Sequence, residues 1–271
     1  MRAASFYGCM LAEITLLFSG FCISAVATMV GLGGGVFFVP LLVLAFGVPT
    51  QKATGISVLI MTLTTTLATI QYARQKRINY KIGVLLDVLD APGAILGAYL
   101  TSLIDPNWLA FMFGCLLLLI SVLIIRNPYP TGEEDFNVYE DFNVYTVRLS
   151  LKVIFFSLLA SFLSGVVAGM LGAGGGTIDE TIMILALNMP VKVGSATSVF
   201  GMALTNFIAA ISHIKLGNII PAYTVPLAIG AIFGSQVGPY VSKCVSERAL
   251  RKILSGVFLI IAARMIIIPF I

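Results

Sequence analysis

A glycine-rich break and its surroundings occur twice in this chain of 271 residues. Gly31-Leu32-Gly33-Gly34-Gly35, an apolar run and Pro49 return as Gly172-Ala173-Gly174-Gly175-Gly176 and Pro190. An offset of 141 residues brings Leu17 onto Leu158 and Ile125 onto Ile266 with no gap between. Ser57/Ser198, Thr64/Thr205, Gly93/Gly234, Gly97/Gly238 and Tyr99/Tyr240 match on the way. Paired hydrophobic segments broken by glycine, at corresponding places in two halves, point to the binding region of a carrier.

The solvent for such a fold is lipid. The chain is 59% hydrophobic and 10% charged, with mean hydropathy +1.03, too little charge for a water-exposed surface of this size. Apolar stretches of spanning length fall at 10–30, 53–72, 82–102, 108–125, 150–171, 195–213, 222–241 and 249–269. Two shorter ones, 36–48 and 177–188, each follow a glycine cluster. No barrel-type alternation is present, so helices must satisfy the backbone. Residues 1–126 read as a first transmembrane repeat, 127–149 as an acidic polar linker and 150–271 as a second repeat.

The linker holds Glu134-Asp135-Phe136-Asn137-Val138-Tyr139, repeated at once as Glu140 to Tyr145. It reads as a duplication in a tolerant loop, with partner docking as the alternative. The first apolar run resembles a signal peptide, but Leu17 to Ala27 matches Leu158 to Ala168, so it is expected in the fold. Cys9, Cys22, Cys115 and Cys244 show no metal or redox spacing and read as apolar helix residues.

Loop charges orient the halves. Arg74, Lys76, Arg77 and Lys81 crowd one loop, whose counterpart carries only Lys215. The following loop reverses this, with no Lys or Arg at 103–107 but Lys243, Arg248, Arg251 and Lys252 in 242–252. Equivalent loops then lie on opposite membrane faces. The expected fold is an all-α polytopic membrane protein of two inverted repeats, about five segments each, with one short glycine-broken segment per repeat. A run of about 12 residues makes only ~18 Å of helix, so the short segments need unwound glycine backbone beside them. If they re-enter instead of crossing, the halves become four plus four and parallel.

Gly33, Gly34 and Gly35, and likewise Gly174, Gly175 and Gly176, can bring N–H groups to a ligand ahead of a helix start that favours anions. Close helix packing is the competing use of such glycines. Just past the paired prolines, Thr54 and Ser57 recur as Thr197 and Ser198, with Ser195 nearby. These hydroxyls can donate to an oxyanion or bond a carbonyl of their own helix. Thr64, Thr205 and Asn206 lie deeper and are weaker candidates. Lys52 and Lys192 flank the prolines, as anion attractors or snorkelling anchors.

Gly-x-Gly-Gly-Gly, an apolar run to a proline and a small hydroxyl pair, occurring twice, resembles the TauE/SafE sulfite exporter family over nearly the whole chain. The resemblance implies a multi-helix carrier of sulfite, thiosulfate or organosulfonates, often working outward. One departure stands out. Phe38-Val39-Pro40 follows the first glycines, as in the family, but Asp179-Glu180-Thr181 follows the second. Asp179 and Glu180 read as proton-coupling groups, as cation ligands or as first-turn acids of a helix.

Asp87 and Asp90, three apart on one helix face, are either intramembrane acids or interface residues. His213, the single histidine, aligns with Tyr72 and is expected to be structural and interfacial rather than a proton relay. No enzyme constellation, cofactor motif, metal cluster or nucleic-acid stripe is present in the sequence. The expected partners are a small anionic substrate and membrane lipid. A cation transporter working through its carboxylates, or a non-transporting docking protein, are the alternatives.

Overall fold

A computed structural model describes residues 2–30, 33–126, 151–187, 189–241 and 247–270. The linker hexapeptides, Gly31, Leu32, Lys243 and Cys244 lie outside the described residues. Every regular element among those described is helical. The first half runs α1 (Arg2–Val30), α2 (Gly35–Pro40), α3 (Thr50–Arg74), α4 (Tyr80–Leu103) and α5 (Pro106–Arg126). The second runs α6 (Leu151–Leu171), α7 (Gly176–Thr181), α8 (Val191–Lys215), α9 (Pro221–Val241) and α10 (Glu247–Ile267).

Local chemistry sets the boundaries. Pro49 and Pro190, both extended (ψ 137° and 139°), stand at the starts of α3 and α8. Asn79 caps α4 by accepting from the Ile82 N–H at 3.2 Å. Pro106 and Pro221 occupy first helical positions, where a missing N–H is harmless. Both short helices run on into a π-helical turn, Leu41–Ala45 after α2 and Ile182–Ala186 after α7. Since Pro40 precedes one and Thr181 the other, the proline does not cause the widening.

The polarity is that of a chain dissolved in lipid. Phe18, Phe155, Phe156, Trp108 and Ile260 are exposed, while Ser24, Ser57, Thr64, Ser164, Thr205 and Asn206 are buried. Among the described residues, four segments have the length and hydropathy to span a bilayer: Ala12–Met29, Thr50–Arg74, Tyr80–Leu103 and Val193–Lys215.

Packing repeats with the halves exchanged. α1 lies along α9, and its counterpart α6 lies along α4, the counterpart of α9. α3 packs on α8, and α5 on α10. Glycines let the first pairs touch backbone to backbone. A Cβ on Gly234 would come 2.1 Å from the Phe21 carbonyl oxygen; on its mate Gly93 it would come 2.3 Å from that of Phe162, the mate of Phe21. The Tyr72 hydroxyl donates to the Thr28 carbonyl at 2.9 Å, and His213 Nε2 meets the matching Gly169 carbonyl at 2.8 Å. The first helix thus belongs to the packed fold.

Candidate functional site

The two glycine breaks meet between the halves. A Cβ on Gly35 would lie 2.1 Å from the Gly172 carbonyl oxygen and 2.8 Å from the Ala173 carbonyl carbon. Nothing larger than glycine fits there. Gly34 takes a φ of 103°, a left-handed value that a side chain would strain. The α2 and α7 starts are thereby held near the junction, with α3 and α8 alongside.

Sequence reasoning missed two residues at this junction. Met61 of α3 and Met202 of α8, mates at the 141-residue offset, press on the breaks from either side. Met61 would touch a Cβ at Gly33 or Gly35, and Met202 one at Gly33 or Gly176. Their pairing was readable in the repeat, but a methionine inside an apolar helix carries no signal of its own.

The small hydroxyls are buried and engaged. Ser57 donates to the Gly172 carbonyl at 2.9 Å, reaching across to the other half, and Thr54 to the Leu171 carbonyl at 3.3 Å. Ser198 donates to the Gly176 carbonyl at 2.8 Å, whereas Thr197 accepts the Asn79 N–H at 3.0 Å. Ser57, Thr54 and Ser198 therefore serve the broken backbone rather than a carbonyl of their own helix, the competing use weighed for them. Thr64 divides its hydroxyl between the Gly33 carbonyl at 3.2 Å and the Met61 carbonyl of its own helix at 3.1 Å. Lys52 is exposed on the first turn of α3, and the side chain of Lys192 lies outside the described residues.

The acids separate into two settings. Glu180 accepts a hydrogen bond from Ser195 at the start of α8. Asp179 faces the other way, where Ser164 of α6 donates to its Oδ2 at 3.2 Å and to the Gly175 carbonyl at 2.9 Å. Asp87, partly buried, and Asp90, buried, are both bonded by Thr205 of α8, which reaches Asp90 Oδ2 at 2.7 Å. Asp90 and Asp179 are buried, and each keeps one oxygen, Oδ1, without a hydrogen-bonding partner.

His213, in the last turn of α8, is buried and bonded within the protein. With Nε2–H given to the Gly169 carbonyl, Nδ1 is left to accept from Asn218 Nδ2 at 3.2 Å, which fixes a neutral ring. Cys22 and Cys115 are free thiols.

The profile of the family described as sulfite exporter TauE/SafE matches residues 16–265. YunE of Bacillus subtilis, named a probable membrane transporter protein, is 27% identical over 267 residues, covering 93% of this chain and 97% of its own. MJ0441 of Methanocaldococcus jannaschii, named likewise, is 24% identical over 257 residues, 89% of this chain and 91% of its own. No solved structure matches the chain. With a helical lipid-facing fold, two apposed glycine breaks and this match along nearly its whole length, the chain belongs to the TauE/SafE family of membrane transporters.

Proposed function

We propose that this transporter is a secondary carrier of a small sulfur-containing anion, of the class of sulfite, thiosulfate or an organosulfonate, moved outward across the cytoplasmic membrane with proton coupling. The observation that carries the reading is the apposition of the two glycine breaks, with Gly35 against the Gly172 carbonyl between the halves. Unwound backbone at membrane depth is tolerated where protein buries it or where it lines a cavity, and carriers place their substrate at such breaks.

In the mechanism, the N–H groups of Gly33, Gly34, Gly35, Gly174, Gly175 and Gly176 hold the anion together with the hydroxyls of Thr54, Ser57, Thr197 and Ser198. The bonds that Ser57 and Ser198 now make to glycine carbonyls belong to a closed junction. Parting of the breaks releases those hydroxyls to the anion, a donor exchange that needs no buried positive charge. Asp179 or Glu180 changes protonation as the site switches sides. The halves lie inverted across the membrane, a reading supported by the loop charges and by the exchanged packing of α1 on α9 and α6 on α4.

The test is flux of sulfite, thiosulfate and a short sulfonate in proteoliposomes, with and without a pH gradient. Movement of one of them, accelerated by the gradient and lost on neutralising both Asp179 and Glu180, is the expected result. No anion flux from verified folded protein sinks the anion reading. The carboxylates Asp87, Asp90 and Asp179 favour a second reading, a cation carrier, which competition by metal ions rather than by sulfite would support.

A further inference from the structure

Proton coupling needs a place where the proton rides, and the sequence offers four acids without choosing among them. Helices α4, α6, α7 and α8 bring three of them together. Asp87 and Asp90 hang from α4, Asp179 from α7, Thr205 of α8 ties the first two, and Ser164 of α6 holds the third. Gly165 lets α6 close on Asp90, whose Oδ1 lies 2.8 Å from where a Cβ would stand.

Two features show that this group is unfinished as drawn. Asp90 Oδ1 and Asp179 Oδ1 are buried acceptors with no donor, on residues only 2% and 5% exposed. Among the described residues the charged neighbours of Asp179 are Asp90 and Asp87, those of Asp90 are Asp87 and Asp179, and Ser164 stands close to both carboxyls. Among the described residues on the elements packed against the cluster, the other titratable groups are bonded to partners outside it or exposed. Glu180 is bonded by Ser195, and His213 is held neutral by Gly169 and Asn218. Lys215 lies exposed beyond His213 at the end of α8, as Tyr80 and Lys81 do at the start of α4. Tyr99 is exposed two turns past Asp90. The side chains of Lys152 and Lys192 lie outside the described residues. Adjacent carboxylates in a low dielectric, with no counter-cation among the described residues beside them, do not all stay ionised; a shared proton completes them by turning one oxygen into a donor.

The repeat supplies an internal control. At the 141-residue offset Asp87, Asp90, Asp179 and Ser164 correspond to Ala228, Ala231, Phe38 and Ile23. Four positions on three helices are polar on one side and apolar on the other, while Thr205 keeps Thr64 as its mate. Helix capping by one acid does not require the other three changes.

Building on the proton-coupled reading above, we propose that Asp90 and Asp179, with Asp87 beside them, form the proton-binding site of this carrier, and that Glu180 lies outside it. The proton bridges the two unpartnered oxygens, with Thr205 and Ser164 as fixed donors to the others. Parting of the glycine breaks carries α7 with it, so Asp179 leaves Asp90 and the bridging proton must leave with one of them or exchange.

The test uses the full chain reconstituted in lipid with no anion added, followed by pH-difference infrared spectroscopy of the protonated-carboxyl band. The expected result is a band that vanishes as pH rises in the native protein, is lost in Asp90→Asn and in Asp179→Asn, and persists in Glu180→Gln. Persistence in both Asn variants, or loss in Glu180→Gln alone, overturns the proposal. Should an Asn variant lose monodisperse elution, Ser164→Ala keeps every carboxyl and is expected to shift the same band; an unshifted band overturns the proposal. In proteoliposomes with an internal pH dye, the Asn variants are expected to abolish proton entry. A native titrating band without anion flux supports the proton site while sinking the anion reading. Anion flux with no titrating band does the reverse.

Discussion

The environment of Asp90 and the environment of Ala231 occupy equivalent places in the two halves, and they differ in almost everything but geometry. Around Asp90 stand Asp87, Asp179, Ser164 and Thr205; around Ala231 the corresponding positions hold Ala228, Phe38, Ile23 and Thr64. The frames match closely. Gly93 and Gly234 make the same backbone approach, and Thr64 and Thr205 are both buried hydroxyls. Yet Thr64 spends its proton on the Gly33 and Met61 carbonyls, where Thr205 gives its own to carboxylates. The scaffold is present twice, and the acids stand on a single copy of it. Under the proposal above, one proton site then serves both halves.

The comparison breaks most violently if an acid is moved to the apolar side. Ala231 is fully buried, and Thr64, the mate of Thr205, is already engaged with the Gly33 and Met61 carbonyls. Ala231→Asp should cost about 2.5–3.5 kcal/mol, the range for an acid at the centre of a spanning helix. Thermal unfolding in detergent should show a large fall in Tm or a loss of folded yield. By contrast Asp90→Ala removes a member of an acidic group and should cost far less. Equal losses from the two substitutions would show that the halves are not chemically polarised.

The same comparison explains what was legible in the sequence. Helices sit where apolar runs and prolines put them: 53–72 was expected and Thr50–Arg74 is found, 195–213 and Val191–Lys215. The breaks at Gly35 and Gly176 were readable because glycine announces an unusual backbone. Hidden from the sequence was which half each helix packs on. α1 embraces α9 and α6 embraces α4, so the linker at 127–149 divides the chain but not the packing. Asp87 and Asp179 looked unrelated because their partners come from other helices: Thr205 of α8, 118 residues from Asp87, bonds the first and Ser164 of α6 the second, and no local periodicity encodes such contacts. The place of His213 near a helix end was legible from the sequence; its partners, the Gly169 carbonyl and Asn218, were not.

A sharper use of the symmetry lies in the helix contacts. Gly93→Ala drives a Cβ to 2.3 Å from the Phe162 carbonyl oxygen, and Gly234→Ala to 2.1 Å from that of Phe21. Backbone cannot retreat as a side chain can, so each should cost about 1–3 kcal/mol. Unfolding of the two variants side by side should give nearly equal losses. Gly256→Ala on α10 has open space around its Cβ and serves as the neutral reference. A wide gap between the first two would mean that α1 on α9 and α4 on α6 are not equivalent contacts.

The smallest effect is expected where the halves differ in residue type but not in role. Tyr72 and His213 both donate to a carbonyl one helix away, on Thr28 and Gly169. Glutamine at 213 can present an amide N–H to the same carbonyl, leaving Asn218 with a weaker partner. His213→Gln should therefore cost about 0.5–1.5 kcal/mol, one hydrogen bond's worth. Flux and its pH profile should be preserved, because a ring held neutral by a carbonyl acceptor and an amide donor has no proton to pass on. Loss of the pH dependence in a variant that still folds would move the proton path from Asp90 and Asp179 to His213. It would also make the Tyr72 and His213 pair, rather than the acids, the place where the two halves diverge in function.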